Sequence, residues 1–244
     1  MEPAHFFVSD LHLFSRRSLA SAYQPALNQA ARQAKTFILG GDIFDFRWST
    51  LASPTATLNA AIEWLAQFVA LNPSCEFHFV LGNHDYNRRF IHALDELASR
   101  RANLAWHRCY LRLGESLFLH GDVADRHATS TSGLLLRRQR WLHDESRGEL
   151  AHWLYDLAIH AQLHHVAKLV NRNKRITDRL RRYAQEIGHG PESGLRHVYF
   201  GHTHCAMSNF PNGGLLFHNG GAPMKGLEFR IVPVELEVSK KSEG

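Results

Sequence analysis

The sequence predicts an α/β protein, a parallel sheet covered by helices, with a helical segment inserted late in the chain. Three observations predict it. Short apolar runs of strand length alternate with longer runs of helical period through the first hundred residues. A polar turn, usually with glycine, follows strand after strand. Between residues 133 and 187 the helical period runs on without an intervening strand.

The elements follow in order. His5-Phe6-Phe7-Val8 is a buried strand ending at Ser9-Asp10. Ala20 to Ala34 is Ala-rich and helical. Thr36-Phe37-Ile38-Leu39 is a second strand, stopped by Gly40-Gly41. Pro54 to Leu71 is a helix with Ser53 as N-cap and Pro54 at its first position. Phe77 to Leu81 is a third strand, and a helix follows from Arg88 to Ser99. Tyr110–Leu113 and Leu117–His120 read as a hairpin around Gly114-Glu115. In the insertion, Leu150, Trp153, Leu154, Leu157, Ala158 and Ala161 trace one apolar stripe. Ile176, Leu180, Tyr183, Ala184 and Ile187 trace another. Strands resume at Arg196–Phe200, Ala206–Phe210, Leu215–His218 and Glu228–Leu236.

Length and composition bound the answer. The 244 residues suit a single domain, residues 1–244, with 133–187 as a basic helical insertion within it. At 44% hydrophobic and 21% charged the chain is no disordered protein. No apolar run of about 18 residues marks a transmembrane helix. The start, Met1-Glu2-Pro3-Ala4-His5, carries an acid and no basic region, so a cytoplasmic location is expected. Cys75, Cys109 and Cys205 form no Cys-x-x-Cys, which argues against disulfides and zinc knuckles. The net charge is +5, and the insertion carries all of that excess, with 11 Lys and Arg against 6 Asp and Glu. An anionic partner is implied for it.

The 18 histidines concentrate attention on the turns. Asp10-Leu11-His12 follows the first strand, and Gly41-Asp42-Ile43-Phe44-Asp45 the second. Gly82-Asn83-His84-Asp85 follows the third, His120-Gly121-Asp122 the hairpin, and Gly201-His202-Thr203-His204 the next strand. Sites in open α/β sheets form beyond the strand C-termini. Each motif alone could be a polar turn; five in series at strand ends are a site. Carboxylate, imidazole and amide without thiolate favour manganese, iron, zinc or magnesium. The ligands are too many for one tetrahedral ion but suit two ions sharing a carboxylate, the usual arrangement for phosphoryl hydrolysis.

In these five blocks the chain resembles the calcineurin-like metallophosphoesterases. The resemblance spans residues 10–204 and implies two packed mixed β-sheets flanked by helices, an α+β sandwich. It implies two divalent metal ions, manganese first, and a metal-activated hydroxide as nucleophile. Asp10, His12 and His204 would hold one ion, Asn83, His120 and His202 the other, and Asp42 would bridge. His84 would act at the leaving group, with Asp85 orienting it and Asp45 further out.

The inserted helices are similar to those of one branch, the UDP-2,3-diacylglucosamine pyrophosphohydrolases, as are Ser9 to Leu13 and Asn219-Gly220-Gly221. That branch implies a nucleotide-linked lipid substrate of lipid A biosynthesis, split to UMP and the lipid sugar phosphate. It also implies a lid over the acyl chains and peripheral contact with the anionic inner membrane. One departure is that the best-known branch members carry Arg where this chain has His84. On this reading Asn83 and His84 touch substrate, and Arg137, Arg138, Lys168, Arg172 and Arg175 contact phosphate or membrane. The alternatives are a phosphodiesterase or phosphomonoesterase on a soluble nucleotide, and a non-catalytic scaffold. Nucleic acid is disfavoured, because stacking aromatics are sparse in the insertion.

Overall fold

The computed structural model describes residues 4–125, 130–143 and 169–236. The predicted stripe Leu150–Ala161 and Lys168 lie outside the described residues. In order come β1 (Ala4–Val8), α1 (Ala20–Gln33), β2 (Ala34–Leu39), α2 (Pro54–Ala70), β3 (Glu76–Val80), α3 (Arg88–Ser99) and β4 (Leu104–His107). Then follow β5 (Tyr110–Leu113), β6 (Ser116–Leu119), α4 (Thr131–Arg138) and α5 (Leu169–Glu186). The chain closes with β7 (His197–Tyr199), β8 (Met207–Asn212), β9 (Leu215–Asn219) and β10 (Val232–Pro233).

These strands make two mixed five-stranded sheets. The first has the order β10-β1-β2-β3-β4, parallel except for β10. The second has the order β5-β6-β7-β9-β8, with β6, β7 and β9 parallel and both edges antiparallel. Strand pleating explains how they stack. In β2, Phe37 and Leu39 face the helices α1–α3, while Ile38 faces the other sheet. In β6, Leu117 and Leu119 face α4 and α5, while Phe118 points inward. Phe7, Phe118 and Tyr199 meet between the sheets, with Phe118 stacked on Tyr199 at a centroid separation of 5.0 Å. The layers therefore run helix, sheet, sheet, helix.

The capping signal at α2 is realised: the Ser53 hydroxyl accepts from the Ala56 N–H at 3.1 Å. Three expectations change. A strand absent from the sequence reading, β4, pairs with the edge of β3. The expected long strand Glu228–Leu236 contracts to β10, two residues paired with β1. The strand expected at Ala206–Phe210 runs on through Pro211, tolerable because β8 is an edge. No helix among the described residues is long and apolar enough to cross a membrane.

Candidate metal centre

The loops after β1, β2, β3, β6 and β7 gather at one rim of the two sheets. Asp10 and His12 come from the first, Asp42 and Asp45 from the second, and Asn83 to Asp85 from the third. His120 and Asp122 follow β6; His202 and His204 follow β7. Among the described residues seven non-glycines have left-handed backbones, and Asp10, His12, Asp42, His202 and His204 are five of them, with φ between 45° and 64°. Each such residue costs on the order of 1–3 kcal/mol, and strain of this kind collects where side chains must be aimed at a ligand.

The aimed atoms converge. Asp10, His12 and His204 form one cluster and Asp42, His120 and His202 another, with the ligand atoms of each within 4.8 Å of one another. His12 Nε2 is 3.1 Å from His204 Nε2, and His204 Nε2 is 3.5 Å from Asp10 Oδ1. In the second cluster His120 Nε2 lies 3.1 Å from Asp42 Oδ2 and 3.2 Å from Asn83 Oδ1. Asp42 Oδ2 also stands 4.0 Å from both His12 and His84, so this carboxylate lies between the two groups. The far nitrogen of His120 is 3.3 Å from the Gly40 carbonyl, which fixes the ring's orientation. Two glycines make room. A Cβ at Gly82 would lie 2.1 Å from Asp42 Oδ1, and one at Gly201 2.2 Å from Asp10 Oδ2. Converging oxygen and nitrogen donors on a strained backbone fit a pair of divalent ions.

The centre is electrostatically tense. Burial opposes charge on Asp42, but His120 and His84 outweigh it and hold its carboxyl well below the usual range. Burial would likewise lower the imidazoles. The carboxylates overcome it, raising His120 to about 10 through Asp42, and His84 to about 9 through Asp45 and Asp42. Asp85 moves the other way, raised to about 7 by burial and by the neighbouring Asp42 charge.

Several side chains differ from expectation. Asp85 does not contact His84; its carboxylate accepts from the backbone N–H groups of Phe44, Ile43 and Gly82 at 2.9, 3.3 and 3.3 Å. Asp45 takes the orienting position instead, its Oδ1 3.0 Å from His84 Nδ1 and its Oδ2 3.4 Å from His12 Nδ1. Arg138 is 1% exposed, so it is not placed to contact phosphate or a membrane. Its guanidinium grips both oxygens of Asp122 at 2.7 and 2.8 Å and donates to the Arg108 carbonyl. Arg137 pairs with Asp125, whose other oxygen is 3.2 Å from His202 Nε2. Arg172 and Arg175 are exposed on α5, beside His202 and His204.

The sequence reading passed over Asp125, Trp141 and the role of Asn219. Trp141 packs on His84 at 4.6 Å between ring centroids, with the Arg47 guanidinium 4.6 Å from its ring. Asn219 Nδ2 donates to the Gly201 carbonyl and to Thr203 Oγ1, pinning the loop that carries His202 and His204. An acid five residues beyond His120, and an Asn before two glycines, were the available signals.

No curated protein matches the sequence. Among solved structures, a dimetal phosphatase from Danio rerio is 13% identical, covering 91% of this chain and 88% of its own, with a TM-score of 0.41. A second crystal structure covers 97% of this chain and 100% of its own at 12% identity, with a TM-score of 0.48. Residues 6–206 match the family model described as calcineurin-like phosphoesterase. That match takes in every loop of the centre and implies a dinuclear site for divalent metal ions; the chain belongs to the calcineurin-like phosphoesterase family, and is a phosphoesterase.

Proposed function

We propose that the chain hydrolyses the pyrophosphate bond of a nucleotide-linked lipid, UDP-2,3-diacylglucosamine, releasing UMP and the lipid sugar phosphate. The observation that carries the hydrolytic part is the convergence of Asp10, His12 and His204 into one cluster and Asp42, His120 and His202 into another, with the Asp42 carboxylate between the two. When bound, two divalent ions activate water and neutralise phosphoryl charge. The chain's own groups do the rest. Asn83 and the histidines fix the phosphoryl position. His84, held by Asp45 at its Nδ1, would offer its Nε2 to the leaving oxygen. Trp141 restricts the His84 ring and keeps water off one side.

The lipid part rests on what flanks the centre. Helix α5 brings exposed arginines beside His202 and His204, and α4 presents Leu136, 68% exposed, near its basic end. Apolar surface beside cationic side chains suits an amphiphile with an anionic head, and peripheral docking at an anionic cytoplasmic membrane surface. The test is UMP release from UDP-2,3-diacylglucosamine in detergent micelles with Mn²⁺, beside Asp42→Ala. Turnover absent from the variant supports the reading. Hydrolysis of bis-p-nitrophenyl phosphate without UMP release removes the lipid and leaves a phosphodiesterase or phosphomonoesterase on a soluble nucleotide. His84, where the lipid branch carries Arg, favours that second reading.

A further inference from the structure

A histidine that ligates a metal through one nitrogen has a second nitrogen to satisfy. The acceptor placed there fixes both the tautomer and the orientation of the ring. Two imidazoles of the centre follow that rule in the same sense. His12 and His120 turn Nε2 toward Asp42 Oδ2, at 4.0 and 3.1 Å. Their Nδ1 atoms face oxygens outside the two clusters, Asp45 Oδ2 at 3.4 Å and the Gly40 carbonyl at 3.3 Å.

His202 runs the other way round. Its backbone N–H donates to both oxygens of Asp10, at 2.9 and 3.0 Å, which pins its main chain beside the first cluster. Nε2, the far nitrogen of its ring, is 3.2 Å from Asp125 Oδ1. A carboxylate can only accept, so Nε2 carries the proton and Nδ1 keeps the lone pair. Nδ1 is then the atom left to join Asp42 and His120.

Asp125 is itself held from several directions. Its Oδ2 pairs with the Arg137 guanidinium of α4. The carbonyl of Ala124, the residue before it, accepts from Arg179 of α5. Its own N–H closes a short turn on the Asp122 carbonyl at 3.3 Å, and the Asp122 carboxylate is gripped by Arg138. A carboxylate fixed at its backbone and at its second oxygen is preorganised to receive an imidazole N–H.

We propose that Asp125 is a positioning residue of the metal centre, which holds His202 Nε2 and so presents His202 Nδ1 to the ion bound with Asp42 and His120. The inference rests on the family's dinuclear centre and not on the lipid substrate.

The experiment strips the full chain with chelator and titrates it with Mn²⁺ by calorimetry, without substrate. Wild type is expected to take up two ions. An amide can turn its NH₂ group to Nε2 and move the imidazole proton to Nδ1, so Asp125→Asn disables the ligating atom. The Asp125 side chain is 42% exposed, which favours the lower end of the 10–100-fold range for such groups: about tenfold weaker binding at one site, the other unchanged. Asp125→Glu keeps an acceptor and restores part of the affinity. His202→Ala supplies the reference, because a residue acting through His202 costs nothing more once His202 is gone. On bis-p-nitrophenyl phosphate, the kcat lost in Asp125→Asn returns as Mn²⁺ is raised. Unchanged Mn²⁺ binding in Asp125→Asn overturns the proposal, as does equal weakening of both sites. So does a further loss when Asp125→Asn is added to His202→Ala. Binding is read without substrate, so a chain that releases no UMP loses the lipid reading and leaves this result in place.

Discussion

At Asp45 one carboxylate serves two imidazoles and caps its own turn, accepting from the backbone N–H groups of Arg47 and Trp48 at 3.2 and 2.9 Å. Asparagine in its place keeps an oxygen for the cap but removes the charge. We expect Asp45→Asn to lower activity about 10–100-fold, the usual cost of losing a group that orients a ligand or acid, with little change in Tm. Asp85→Asn should do the reverse. Its carboxylate ties three N–H groups together, and losing it costs about 1–3 kcal/mol in urea denaturation. The sequence named both acids and gave the orienting of His84 to Asp85, where the structure gives it to Asp45. Spacing places a carboxylate in a turn, but the turn's geometry decides which neighbour it meets.

Two other histidine pairs lie away from the centre: His78 with His107 and His197 with His218, each 3.1 Å between ring nitrogens. Burial lowers His107 and His218 to about 4, helped by the facing imidazole. At these two histidines the unfolded chain binds protons that the folded one does not, between about pH 6.5 and 4. The contribution of these pairs to stability is full above about pH 6.5 and is lost as pH drops toward about 4. Urea midpoints measured from pH 7.5 to 4.5 should decline over this window, and His107→Gln should flatten the decline.

Among the elements, α4 is tethered to the centre by buried charge. Arg138 holds Asp122, two residues beyond His120, and its guanidinium lies 5.6 Å from the Tyr86 ring centroid. Arg138→Met would leave Asp122 buried and unpaired, at a cost of about 3–5 kcal/mol. Loss of Mn²⁺ affinity along with the fall in urea midpoint would show that α4 helps hold the His120 loop; a fall in midpoint alone would count against it. The sequence reading offered this arginine for phosphate or membrane contact; fully paired with Asp122, it is buried instead. Helix α2 was legible through Ser53-Pro54, a local signal. The four residues of β4 and the two of β10 carry no local signal, since their strand character comes from the partner edge they meet.

For the molecule as a whole, the joint between the sheets carries the architecture. Phe118 is fully buried there against Phe7 and Tyr199. Phe118→Ala should cost about 3–5 kcal/mol, and a single cooperative unfolding transition at a lowered midpoint is the expected outcome. The apolar runs announced that strands were buried on both faces, but not by what. Periodicity alone left one parallel sheet, and only the resemblance carried by the five loop motifs implied two. The metal-ligand motifs were legible because each is short and local. Their convergence depends on the packing of β1–β3 against β6 and β7, which no single motif encodes.

That packing gives the bound ions a second consequence. Asp10, His12, Asp42 and Asn83 extend from the first sheet, and His120, His202 and His204 from the second. An ion held between them is a reversible cross-link joining the two halves of the chain. Folding is then thermodynamically linked to the free ion, and at 100 times the dissociation constant one site adds about 2.7 kcal/mol. Tm should climb with the logarithm of free Mn²⁺ and drop on chelation, making the heat resistance of this protein a gauge of the metal supply around it.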